Sequence, residues 1–139
     1  MLRPREFTTA LLLQAAWFEA EAFGGLKPMQ MVAQCIGNRV RLGWGDWHQV
    51  LSSLGKYSAV DPSVRVLMPQ QLPAENDPRF IALLPLMDQV YENSGEKLVG
   101  AGVLWADVRE ISNPWFQSRV LPGKDYKRLA QTAQLVIWG

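Results

Sequence analysis

The chain has 139 residues, 48% hydrophobic and 19% charged, a size and balance that fit one globular domain and exclude disordered, collagen-like and coiled-coil classes. Lys and Arg number 14 against 13 Asp and Glu, so the formal net charge of +1 provides no basic field for binding nucleic acid by phosphate neutralisation. Cys35 is the single cysteine and His48 the single histidine, which excludes a disulfide framework, a thiolate zinc site, a Cys-X-X-Cys redox pair and a His-His metal site.

In chain order, Thr8–Phe23 is rich in Ala and Leu, has Thr8 or Thr9 as its candidate cap and stops at Gly24-Gly25, which predicts a helix. It is apolar on nearly every face, as a buried central helix is, and Glu19 and Glu21 stand out against that background. Its charge-free stretch, Phe7 to Phe18, is shorter than the ~20 residues of a membrane span, and no secretory cleavage pattern is present. From Pro28, the residues Met29, Val32, Ala33, Ile36 and Val40 recur at three- and four-residue spacing, predicting an amphipathic helix through to Trp44. Asp46 caps a short helix over WHQVLSSL that Gly55 ends.

Between Lys56 and Asp77 no period is visible, and Pro62, Pro69 and Pro73 interrupt any regular element, so a long loop is expected. Asp77-Pro78 opens a further helix, RFIALLPLMDQVYEN, which Pro85 is expected to kink or split. Leu98 to Ile111 carries β-branched residues and a Gly-Ala-Gly turn, the pattern of a short strand or hairpin. Turns at Asn113-Pro114 and Pro122-Gly123 precede a last short helix over DYKRLAQ and an apolar tail, LVIW. The expected architecture is a mainly α (α+β) single domain spanning residues 1–139, with a small β element and one long loop.

Three features could carry chemistry. Glu19 and Glu21 are two residues apart, about 200° around a helix, so at most one of them serves a given cleft. A carboxylate at a helix C-terminus, beside Trp17, Phe18 or Phe23, is pushed towards its neutral form, which suits a general acid for glycosidic cleavage; the bland alternative is a pair of solvated helix residues. The six tryptophans are either sugar platforms or core fillers, and Trp105 and Trp115, in irregular segments, are the cleft candidates. Asn38 and Arg39 read as structural, one bonding neighbouring backbone and the other an ion-pair partner.

Together these residues resemble the SleB-type cell wall hydrolases, the spore cortex-lytic family that also occurs in phages. Leu12-Leu13-Gln14 followed by Ala15-Ala16-Trp17-Phe18-Glu19-Ala20 is similar to the family's opening helix, with Glu19 at its catalytic Glu; MQMVAQCIGNRV, Met29 to Val40, is similar to its second helix. RLGWGDWHQVL, Lys56-Tyr57-Ser58, Asp77-Pro78-Arg79-Phe80, Gly100 to Ala106 and Asn113-Pro114-Trp115-Phe116 follow in the family's order, so the resemblance covers most of the chain. Two departures stand out: Glu21-Ala22-Phe23 replaces the family's Arg-Gly-Glu, and Ala133 to Ile137 replaces its Gly-x-His-x-Phe. A second register places Glu21 at the catalytic position.

The resemblance implies a lysozyme-like fold and cleavage of the β-1,4 bond between N-acetylmuramic acid and N-acetylglucosamine, commonly by lytic transglycosylation. One Glu protonates the leaving oxygen and then, as a base, helps the muramyl 6-hydroxyl close a 1,6-anhydro ring. On this expectation Glu19 is the acid/base, with Glu21 as alternative, and Tyr57, Ser58, Trp105, Asn113 and Trp115 line the substrate cleft. No metal or other cofactor is expected. The expected partner is the peptidoglycan glycan strand, with no nucleic acid and no membrane span, acting at the wall as a phage-encoded enzyme that other lysis or virion proteins deliver. Two rivals remain open: a catalytically degenerate lysozyme-like module that binds wall or packs in a virion, and a helical interaction protein unrelated to sugars.

Overall fold

The computed structural model describes residues 4–54, 76–109, 114–123 and 125–139. Helix α1 spans Pro4–Ala20, a 3-10 turn Glu21–Phe23 continues it, and α2 (Lys27–Arg41), α3 (Trp47–Ser52) and α4 (Pro78–Glu92) follow. Strands β1 (Leu104–Asp107), β2 (Arg128–Thr132) and β3 (Leu135–Trp138) form an antiparallel sheet in the order β1-β3-β2, so the protein is mainly helical with one small sheet. Among the described residues no helix is long and apolar enough to cross a membrane.

α1 begins four residues before the expected Thr8, and both threonines lie inside it. Thr9 Oγ1 donates back to the carbonyls of Arg5 and Glu6 at 3.1 Å, while Thr8 Oγ1 is 3.1 Å from His48 Nε2. Leu11 to Ala16 are buried without a break, so α1 is the central helix that its all-round apolarity predicts. α2 presents Met29, Val32, Ala33 and Ile36 to it, and Cys35 on the same helix is fully buried. α3 starts with a reciprocal capping box: Asp46 Oδ1 accepts from the Gln49 N–H at 2.8 Å, and Gln49 Oε1 accepts from the Asp46 N–H at 2.9 Å. The expected stop at Gly55 lies outside the described residues, as does most of the expected loop.

α4 is capped by Asp77, whose Oδ1 accepts from the Arg79 N–H at 2.9 Å, and it runs unbroken past Pro85. Pro85 and Ile81, whose carbonyl loses its partner, are both exposed, so that carbonyl is on the solvent side and no split results. Arg5 on α1 pairs with Asp88 and Glu92, tying the start of α1 to the second half of α4.

The sheet corrects the expected last helix. Residues 128–132 of DYKRLAQ and its neighbour form β2, because β3 offers a ladder to pair with and a two-residue turn through Ala133 (φ 49°) joins them. LVIW is β3, the middle strand, buried on both faces: Leu135 and Ile137 pack into the main core, Val136 and Trp138 into a second cluster with Ala106 and Val120.

Candidate active site at the end of the first helix

The change from α to 3-10 geometry at Ala20 sends the two glutamates to different neighbours. Glu19, half-buried in the last turn of α1, accepts a long hydrogen bond from the Trp105 indole N–H, Nε1 to Oε2 3.5 Å. Trp105 is on β1, so this contact joins the end of α1 to the sheet. Glu21 instead forms a salt bridge with Arg79 at the start of α4, Oε1 to Nη1 3.1 Å. Arg79 also bonds Asp77 and lies over the Trp17 ring, 4.7 Å from its centroid.

Arg39 organises the Glu19 side. Its guanidinium carbon lies 4.4 Å from the Trp105 centroid and 5.2 Å from that of Trp44, and its Nε donates to the Val103 carbonyl at 2.7 Å. Burial pulls the Arg39 pKa below its ordinary value, while the charged forms of Cys35, Glu19 and Tyr126 act in the opposite direction. Thus Arg39 is a partly desolvated cation stacked on the Trp105 ring. The indole N–H of Trp105 and the Arg39 guanidinium stacked on its ring lie on the Glu19 side of the sheet.

Backbone chemistry explains how Trp44 reaches Arg39. Helix α2 ends in a Schellman turn: the Trp44 N–H donates to the Arg39 carbonyl at 3.0 Å, the Gly43 N–H to that of Val40 at 3.1 Å, and Gly43 takes φ 84°. The left-handed glycine folds the chain back so that Trp44, 51% exposed, covers the guanidinium. Next to it, Asn38 Nδ2 donates to the Gly100 and Gly102 carbonyls at 3.0 and 2.8 Å, latching α2 to the segment before β1. Asn38 was expected to bond neighbouring backbone; its acceptors are instead more than 60 residues away in sequence.

Trp115, 46% exposed, precedes a π-helical turn over Phe116–Val120 and packs against Phe116 and Tyr126, with centroids 5.3 and 6.3 Å apart. Tyr126 packs against the second core cluster with Ala106 of β1, the strand that also carries Trp105. Of the expected site residues, the structure brings Glu19 and Trp105 together with Arg39, places Glu21 apart on Arg79, and sets Trp115 beside Tyr126. Tyr57, Ser58 and Asn113 lie outside the described residues. Trp44 and Tyr126 were not expected in the site; Gly43 is the only local sequence signal for the first, and none marks the second. Cys35 is inert, its thiol pushed up to about 12 by burial, and among the described residues no three His, Cys, Asp or Glu could hold a metal ion together. No family model matches the chain, and no curated protein or solved structure matches it significantly.

Proposed function

We propose that the chain is a peptidoglycan glycosidase that cleaves the bond between N-acetylmuramic acid and N-acetylglucosamine by lytic transglycosylation, with Glu19 as its single acid/base. The reading starts from the motif order of the sequence, and one observation supports it most: Glu19 ends a buried helix beside an indole of β1 and an arginine set between two tryptophans. Aromatic faces stack on sugar rings, and a carboxylate among them is where a glycosidic oxygen can be met. Glu21, in its salt bridge to Arg79, is better suited to holding α1 against α4.

In the proposed reaction protonated Glu19 gives its proton to the glycosidic oxygen as the bond from that oxygen to the muramyl C1 breaks. The C6 hydroxyl of the same muramyl residue attacks C1, and its proton passes to the Glu19 carboxylate, which restores the acid. No water is consumed, and the new end is a 1,6-anhydro ring.

The test is digestion of purified peptidoglycan with wild type, Glu19→Gln and Glu21→Gln, with soluble products read by mass spectrometry. Anhydromuropeptides from wild type and Glu21→Gln, reduced at least about 100-fold in a folded Glu19→Gln, are the expected result. Loss confined to Glu21→Gln would move the acid to that residue, and reducing-end products would replace transglycosylation by hydrolysis. A folded wild type that releases nothing from several wall types would overturn the enzyme and leave a wall-binding module.

A further inference from the structure

Two adjoining clefts flank the aromatic group around Tyr126. The first, on the order of 500 Å³ including its open mouth, is lined by Trp115, Arg119, Asp125 and Tyr126. The second contains Tyr126 again, with Lys127, Arg128 and Trp138 among its walls. Arg119 comes from the π-helical turn and Lys127 and Arg128 from the approach to β2 and its first residue, so two separate elements direct cations at one surface. Against these three cations the clefts carry a single carboxylate, Asp125. Among the described residues none of the three cations has a carboxylate within ion-pair distance, and Arg128 is held by the Gln131 side-chain carbonyl instead.

The backbone here is itself unusual. Residues 116–120 are wound as a π turn, closed by the Leu121 N–H donating to the Phe116 carbonyl at 2.8 Å. Such turns are rare and concentrate at functional sites because the extra residue per turn re-aims side chains. Here the turn follows Trp115, the exposed aromatic of the first cleft, and includes Arg119.

We infer that these clefts are an anion subsite for the glycan strand, in which Trp115 stacks on a sugar ring while Arg119, Lys127 and Arg128 receive an oxyanion carried on that sugar. This rests on the glycosidase reading and deepens it. Neutral N-acetylated sugars alone give these cations nothing, but a muramyl residue stripped of its stem peptide exposes its lactyl carboxylate to them. Carboxylates of attached stem peptides, or phosphates of attached wall polymers, give them a partner. Tyr126 faces both clefts and packs against the second core cluster with Ala106 of β1, the strand that also carries Trp105.

The experiment measures binding of the full chain bearing Glu19→Gln, which suppresses turnover, to four sets of soluble fluorescent strands: neutral N-acetylglucosamine oligomers, and peptidoglycan strands with stem peptides, with stem peptides removed so that the lactyl carboxylates are free, and with stem peptides removed but phosphate polymer retained. Strands with an oxyanion are expected to bind about tenfold more tightly than the neutral oligomers. That advantage should vanish in about 0.5 M salt and in an Arg119→Gln/Lys127→Gln double variant, and survive in Arg119→Lys/Lys127→Arg. Whichever anionic set binds tightly identifies the source. Binding of the neutral oligomers as tight as that of every anionic set would overturn the subsite while leaving the glycosidase standing if wild type still cleaves the peptidoglycan strands. Cleavage of none of them by a folded wild type would overturn the glycosidase, and an anion preference that persisted there would still assign the clefts.

Discussion

Trp105 has two separable tasks: its ring supports the Arg39 guanidinium, and its N–H is directed at Glu19. Trp105→Phe keeps the first and deletes the second. On the proposed mechanism the turnover number for peptidoglycan falls about tenfold, the scale of one hydrogen bond to a charged group, while KM stays near its wild-type value. Steady-state kinetics on soluble strands check this; an unchanged kcat would show that the indole N–H contributes nothing to the carboxylate. Trp105→Ala is expected to do more, because Arg39 then loses one of the two rings stacked on it.

Among the elements, what was legible in the sequence was local. The spacing of Met29, Val32, Ala33 and Ile36, the Asp46 cap with Gln49 three residues on, and Asp77-Pro78 each describe a helix through its own neighbours, and α2, α3 and α4 follow. β2 was not legible, since Arg128, Leu129, Ala130 and Gln131 favour a helix individually and become a strand only because Leu135 to Trp138 pair with that segment. The same distinction applies to the site. Glu19 and Trp105 could be named from motif order, whereas Trp44 enters through a turn and Tyr126 through the packing of the second cluster. The turn is testable: a side chain at Gly43 meets nothing within 4 Å, so Gly43→Ala isolates the backbone cost of φ 84°. It should destabilise the protein by about 1 kcal/mol in urea unfolding and loosen Trp44 from Arg39. A neutral result would mean that the turn is not what holds Trp44.

For the molecule as a whole, β3 is the wall shared by two cores, the helical one with Leu135 and Ile137 and the smaller one with Val136 and Trp138. Cys35, in the helical core, reports on global opening. Its thiol is pushed up to about 12 by burial, whereas in the unfolded chain it ionises near 8.5. Between those values the unfolded state holds fewer protons than the native one, so stability falls as pH rises, by up to about 1.4 kcal/mol per pH unit. Alkylation by iodoacetamide at pH 9 should be negligible in the native protein and rapid in urea, and Cys35→Ala should flatten the alkaline slope. Rapid alkylation without denaturant would contradict the burial. The contact between Trp105 and Glu19 has an optical consequence. The excited indole redistributes charge, so its emission shifts when a carboxylate beside its N–H or a guanidinium over its ring is moved. Any ligand that draws Glu19 away from Trp105 will therefore change the intrinsic fluorescence, giving a label-free signal at the carboxylate itself.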